Sequence, residues 1–332
     1  MTAKIAVMGA GAWGTAMAKV IAELEHDVLL WSRRAELAES INRNRENAEY
    51  LPGRRLPEGI AATADAAAAV KSADIVLLAT PAQSLRSNLQ AWGGAVKPGA
   101  LLLSLAKGLE RGTKLRMTEV VQQVLGKPVS EIGVLSGPNL ALEVAAGQPS
   151  GAVVACSHEE SAAAMQELCA APGFRVYTND DVVGVELAGV VKNVIALACG
   201  IASGSGYGQN TLAVLITRGL AEITRLGVAM GAKAATFSGL AGVGDLVATC
   251  TSPLSRNRAF GVRLGLGEGA RGAGDGPHGV VEGFACCGAV RELAIDHGVE
   301  MPITEAVFQV CHDGMPVREA VENLMGRKIG AE

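Results

Sequence analysis

Residues Lys4–Leu24, KIAVMGAGAWGTAMAKVIAEL, decide how this chain folds. An apolar run, Lys4–Met8, ends at Gly9-Ala10-Gly11-Ala12-Trp13-Gly14, and a helical stretch follows over 15–25. A buried strand, a glycine turn and a helix in that order predict a dinucleotide-binding βα unit. Gly9 permits the tight turn, Gly11 lets the backbone approach a pyrophosphate, and Gly14 allows helix and strand to pack closely. The start of the helix offers unpaired N–H groups and the positive end of its dipole to the phosphates.

The pattern repeats outward from this unit. Strands are predicted at Ile5–Met8, Val28–Trp31, Asp74–Ala79, Ala100–Leu105 and Ile132–Leu135, with helical stretches at 15–25, 34–46, 64–71, 83–95 and 113–125 between and after them. Short apolar strands alternating with helices imply a parallel sheet covered on both faces. Ala152–Ala155 and Arg175–Thr178, flanking a helical stretch at 158–171, extend it. Beyond residue 180 the strand pattern stops. Helices are predicted at 181–202, 209–229, 233–238, 255–266, 281–297, 303–310 and 316–325, the first capped by Asp180-Asp181. The expected fold class is α/β, a Rossmann-like, doubly wound, mainly parallel sheet over residues 1–180, followed by an all-α domain over 181–332. Seven glycines in Gly265–Gly279 predict a mobile surface loop.

Composition narrows the function classes. The 332 residues are 49% hydrophobic and 19% charged with a net charge of −4, which supports packed cores and gives no basic field for nucleic acid. The seven cysteines form no CxxC pair and read as buried thiols in a reducing cytoplasm. Five scattered histidines offer no metal-ligand spacing. Met1-Thr2-Ala3-Lys4 runs straight into a strand, so no signal peptide is expected, nor any integral membrane segment.

Three further stretches carry chemistry. At the end of the second strand, where NAD sites usually place an acid, stands Trp31-Ser32-Arg33-Arg34; two guanidiniums there suit a 2′-phosphate, so NADP should be accepted. The alternative is that they are solvated starts of the next helix. The stretch Val182–Ala202 is apolar nearly all round but carries Glu186, Lys192 and Asn193. A lysine inside such a helix must be paired or have its pKa lowered, and a desolvated lysine near neutrality suits acid–base work; the alternative is that it snorkels to the surface. Asp245, in Gly242-Val-Gly-Asp245, could orient Lys192 or accept a substrate hydroxyl. Ser255-Arg256-Asn257 at a helix start forms a small anion site, or an ordinary N-cap with a solvated arginine.

Taken in order, GAGAWGTA at Gly9–Ala16, NAEYLPGRRLP at Asn47–Pro57, Ala106-Lys107-Gly108-Leu109, Leu135-Ser136-Gly137-Pro138-Asn139, Val191-Lys192-Asn193-Val194, GLAGVGDL at Gly239–Leu246, Ser255-Arg256-Asn257 and Val280-Val281-Glu282-Gly283 resemble the bacterial NAD(P)-dependent glycerol-3-phosphate dehydrogenases, from about residue 4 to 326. The resemblance implies interconversion of dihydroxyacetone phosphate and sn-glycerol 3-phosphate for glycerophospholipid biosynthesis, with NADP(H) or NAD(H). It implies Lys192 as catalytic acid/base, and Lys107, Gly137, Asn139, Asp245, Ser255, Arg256 and Asn257 as substrate contacts. The dinucleotide would be lined by Gly9, Gly11, Ala12, Trp13, Gly14, Arg33, Arg34, Tyr50, Lys107, Ala141, Arg256, Val280 and Glu282. Ala12 and Asn139 stand where many relatives have hydroxyl residues. Two other readings compete: a two-domain reductase of 2-keto acids such as ketopantoate, and a catalytically silent dinucleotide sensor. The apolar helical domain is compatible with a homodimer.

Overall fold

The computed structural model describes residues 3–268 and 280–328. Residues 269–279, most of the predicted glycine-rich loop, lie outside the described residues. Two compact units emerge: Met1–Lys107 with Leu115–Glu186, and Gly108–Lys114 with Leu187–Glu332. The division falls inside the helix Val182–Gly204, a few residues beyond the expected 180/181 boundary. Segment Gly108–Lys114 goes with the helical unit because Arg111 Nε donates to Ala285 O (3.1 Å) and Lys114 pairs with Asp296.

The first unit is built on eight strands: β1 (Lys4–Met8), β2 (Asp27–Trp31), β3 (Ile60–Thr63), β4 (Ile75–Leu78), β5 (Leu101–Ser104), β6 (Ile132–Ser136), β7 (Ser150–Ala155) and β8 (Phe174–Asn179). Their order is β3-β2-β1-β4-β5-β6-β7-β8. The first six are parallel, β7 runs antiparallel to β6, and β8 is parallel to β7. The run 3-2-1-4-5-6 is the Rossmann order, whose switch point lies between β1 and β4. β1 shows why the central strands read as unbroken apolar runs. Ile5 and Val7 face one core cluster while Ala6 and Met8 face the other, and β4 splits its four residues the same way.

β3 was not among the predicted strands. Ile60-Ala-Ala-Thr is short and alanine-rich, and its pairing with β2 supplies what its own propensity does not. The helix Ala141–Ala145 was also missed, being a single turn.

In the helical unit the long helices fall close to expectation, and Asp181 caps Val182–Gly204 by accepting from Gly184 N at 2.9 Å. This helix is 23 residues long and apolar enough to cross a bilayer, yet 89% of its most apolar window is buried in the protein, and it carries Glu186 and Lys192. It is a core helix. Residues 234–238 form a 3₁₀ turn rather than an α-helix, and a helix not anticipated runs over Asp245–Thr251. Gly265, which the expected helix 255–266 and the expected loop both included, is the last residue of the helix Arg256–Gly265.

Glu222 on the helix Gln209–Ala229 is buried. It accepts from Ile303 N (2.6 Å), Thr304 N (3.2 Å) and Thr304 Oγ1 (3.1 Å), so it caps the helix Pro302–Phe308 from outside. Burial pushes its carboxyl up to about 7 against these donors.

Candidate active site

In the sheet unit, the glycine turn leaves β1 and enters the helix Ala12–Ala22 at the switch point. Gly9 has φ +134°, and a Cβ there would lie 2.7 Å from Ala79 O, just beyond β4. A Cβ on Gly14 would sit 2.0 Å from Gly9 O, whereas one on Gly11 would meet nothing within 4 Å. The three glycines therefore do three different things: turn, leave open space, and allow helix-on-strand contact. Gly11 is the helix N-cap and supplies no capping side chain, and Ala12 is the first helical residue. Open space above unpaired helix N–H groups fits a pyrophosphate. Trp13 packs edge-on against Phe174 (6.3 Å), and its Nε1 is buried without a partner among the described residues.

One contributor to the turn, Asn47, was read from sequence only as the start of Asn47–Pro57, without this role. Fully buried Asn47 donates through Nδ2 to Ala10 O (2.9 Å) and Thr15 Oγ1 (2.8 Å). Its backbone carbonyl accepts from Leu51 N (2.8 Å), so the segment around Tyr50 is clamped onto the glycine turn. The signal available was the uncharged asparagine that opens Asn47–Pro57, a motif whose charged residues are Glu49, Arg54 and Arg55.

Arg33 and Arg34 follow β2, both exposed. Arg34 Nη2 pairs with Glu49 Oε2 at 2.5 Å, and its guanidinium lies 5.9 Å from the centre of the Tyr50 ring. Lys107 Nζ donates to Gly137 O (3.1 Å). Gly137 has φ +144°, and a Cβ there would be 2.8 Å from Gly151 O. Asn139 Nδ2 donates to that same carbonyl (3.0 Å), while its Oδ1 is buried without a partner among the described residues. Ala141 opens the short helix that follows.

The helical unit holds a second constellation. Lys192 is 5% exposed, so it has not snorkelled; it is paired. Its Nζ donates to Asp245 Oδ1 (2.5 Å) and Thr249 Oγ1 (2.7 Å), and Thr249 Oγ1 lies 3.3 Å from the same carboxylate oxygen. Thr249 was missed because the helix Asp245–Thr251 was missed. Once that helix is known, the i, i+4 spacing puts 245 and 249 on one face. Asp245 is presented by a π-helical turn, Leu240–Gly244, where a Cβ on Gly242 would collide with Phe237 O at 2.1 Å. Such turns recur where a helix must re-aim a functional side chain. Glu186, by contrast, is not part of this cluster. It belongs to the sheet unit, where Arg116 Nη1 (2.6 Å), Thr118 N (3.0 Å) and Thr118 Oγ1 (2.6 Å) donate to it.

Ser255 caps the helix Arg256–Gly265, its hydroxyl accepting from Arg258 N at 3.3 Å. Arg256 is exposed at the first helical position. Asn257 is used differently from a free anion ligand. Its Nδ2 donates to Asn193 Oδ1 (2.9 Å) and its Oδ1 accepts from Gly283 N (2.8 Å), so it ties together the helices that start at Val182, Arg256 and Glu282. Val280 and Glu282 lie at the start of the last of these. The close approach that makes these bonds possible comes from glycines. A Cβ on Gly200 would lie 2.2 Å from Arg258 O, and one on Gly261 would lie 2.3 Å from Leu197 O.

A Rossmann sheet with an open glycine cradle, and a helical unit holding a buried lysine–carboxylate pair and an arginine-bearing helix start, define a dinucleotide-dependent oxidoreductase. The sequence matches the model described as NAD-dependent glycerol-3-phosphate dehydrogenase N-terminus over residues 4–162 and its C-terminus counterpart over 181–322. It is 56% identical over 328 residues to glycerol-3-phosphate dehydrogenase (NAD(P)+) 2 of Mycobacterium bovis, covering 99% of this chain and 98% of that protein. Against the like-named protein of Corynebacterium glutamicum it is 55% identical over 329 residues, covering 99% of each. A solved structure of glycerol-3-phosphate dehydrogenase from Coxiella burnetii matches with a TM-score of 0.93 and 38% identity, covering 98% of this chain and 99% of that one. The chain belongs to the NAD-dependent glycerol-3-phosphate dehydrogenase family.

Proposed function

We propose that this chain reduces dihydroxyacetone phosphate to sn-glycerol 3-phosphate, and runs the reverse oxidation, with NADP(H) or NAD(H) as the redox partner. The observation that carries the proposal is the buried Lys192–Asp245–Thr249 cluster in a chain of this family. When bound, the reduced nicotinamide supplies the hydride; every other task falls to the chain. Lys192 Nζ gives its proton to the ketone oxygen as negative charge grows there, and takes one back in the reverse direction. Asp245 and Thr249 hold the lysine head in one position, so that orientation is settled before substrate arrives.

The phosphate is met at the start of the helix Arg256–Gly265, where Arg256 supplies charge, Ser255 closes the cap and Asn257 keeps the helix end in place. Lys107, Gly137 and Asn139 are the further substrate contacts in this reading. The buried Asn139 Oδ1, without a partner among the described residues, is an acceptor suited to a hydroxyl. The glycine cradle, Trp13, Arg33, Arg34, Tyr50 and Ala141 hold the dinucleotide in the sheet unit, and Arg256, Val280 and Glu282 are its partners in the helical unit.

Following nicotinamide absorbance with dihydroxyacetone phosphate and, separately, with 2-keto acids tests the reading. Rapid oxidation of NADPH or NADH with the phosphoketone alone is expected. A preference for a keto acid overturns the substrate assignment, and no oxidation with either leaves a dinucleotide-binding module. The product class suits glycerophospholipid assembly. The seven free, buried cysteines suit a reducing cytoplasm. Exposed apolar residues on the helical unit, Val214 and Val228 among them, suit a homodimer, which light scattering checks.

A further inference from the structure

The end of β2 carries a feature that the two arginines alone do not predict. NAD sites place an acid there to accept from the ribose hydroxyls, and this chain has none on the strand end. An acid arrives instead from another segment. The turn 47–51, clamped to the glycine turn by Asn47, brings the Glu49 carboxylate to 2.5 Å from Arg34 Nη2, with Tyr50 beside the same guanidinium. We propose that Glu49 is a specificity-determining residue for the dinucleotide, holding Arg34 in a neutralised pair that favours a ribose 2′-hydroxyl and disfavours a 2′-phosphate.

This inference rests on the reading that Arg34 meets the adenosine ribose. Both side chains of the pair are 47% exposed, so the ion pair is weak and exchangeable. A 2′-hydroxyl can donate to the Glu49 carboxylate while leaving the pair intact. A 2′-phosphate must compete with that carboxylate for Arg34 and then sit beside its charge. Arg34 keeps Glu49 ionised, its carboxyl held below the usual range by the hydrogen bond. Arg33, which has no ion pair among the described residues, remains available to either cofactor. The arrangement therefore predicts acceptance of both cofactors rather than a strong preference for one.

The test uses direct binding of NADP+, NAD+, 2′,5′-ADP and 5′-ADP to the full chain by calorimetry, with circular dichroism confirming that each variant folds. In Glu49→Gln, 2′,5′-ADP and NADP+ should bind about tenfold tighter relative to 5′-ADP and NAD+, the change expected from removing one nearby like charge. A ratio within about twofold of the parent overturns the proposal. Arg34→Gln separates this from failure of the underlying reading. If it weakens 2′,5′-ADP but not 5′-ADP, Arg34 meets the 2′-phosphate and the Glu49 result stands by itself. If it weakens neither, the ribose assignment of Arg34 fails and the proposal falls with it.

Discussion

Glycine serves opposite ends in the two halves of this molecule. In the sheet unit, Gly9, Gly11 and Gly14 shape backbone for a ligand to approach, and the space over Gly11 is open. In the helical unit, Gly200 and Gly261 let two helices touch backbone to backbone, and the proposed chemistry rests on side chains. In the proposed reading, one region binds through N–H groups that any sequence could supply once the turn forms. The other depends on particular charged groups, Lys192 and Asp245, held out of water. Charge deletions should therefore hurt the helical unit most, and added Cβ atoms the glycine turn.

Lys192→Ala is expected to have the largest effect. Turnover should fall by about 10²–10⁴, the usual loss on deleting a general acid, while NADPH affinity changes by less than about twofold. The substitution also takes the cationic partner from a buried carboxylate, Asp245, so Tm should drop. Unchanged turnover would remove Lys192 from the chemistry. Gly14→Ala is the mirror experiment. Its Cβ would sit 2.0 Å from Gly9 O, so the helix must shift off the strand, at a cost of about 2–3 kcal/mol and with loss of dinucleotide binding. Gly261→Ala, which drives its Cβ to 2.3 Å from Leu197 O, should cost similar stability yet leave 5′-ADP affinity unchanged. Equal effects of the two on nucleotide binding would erase the distinction between the two uses of glycine.

How much of this was legible follows from the same distinction. The glycine cradle could be read directly because turn, strand and helix are contiguous over Lys4–Leu24, and local geometry dictates which residue fits where. Five of the six strands in the parallel run were expected; the sixth is β3, whose pairing with β2 outweighs its own weak propensity. Lys192 was visible as an anomaly, a cation in an apolar helix, and Asp245 as one candidate to orient it, but the choice among the alternatives and the part of Thr249 were not. Pairing with Asp245 spans 53 positions and needs a π-turn and a helix that composition alone does not signal. Asn257 looked like an anion ligand from its neighbours Ser255 and Arg256; only the fold shows that its amide is committed to Asn193 and Gly283.

Glu222 extends the contrast to pH. Its folded-state value, about 7, lies above the 4.5 of an ordinary carboxyl, because burial penalises the charged form. Between those values the folded chain holds a proton that the unfolded chain has released. Stability from this group is therefore full below about pH 4.5 and declines as pH rises through 7, by about 3 kcal/mol over the window. Urea melts at several pH values on the parent and on Glu222→Gln check this. The variant should lose that part of the slope, and a slope unchanged by the substitution would show that Glu222 is ionised in the fold throughout.

Thr249→Val carries the smallest expected effect and sharpens the comparison most finely. Valine keeps the shape of threonine but removes the hydroxyl that accepts from Lys192 Nζ at 2.7 Å. The Asp245 contact survives, so the lysine keeps its charge partner and loses one restraint on its direction. A positioning residue of this kind should lower kcat by about three- to tenfold, equivalent to one hydrogen bond, with KM for dihydroxyacetone phosphate little changed. Thr249→Ser, which restores the hydroxyl, should recover most of the loss. If Val and Ser behave alike, the hydroxyl has no part in aiming the lysine, and Thr249 matters only for filling the space beside Asp245. Recovery by Ser alone would show that the helical unit sets its chemistry by side-chain direction, as the sheet unit sets its own by backbone shape.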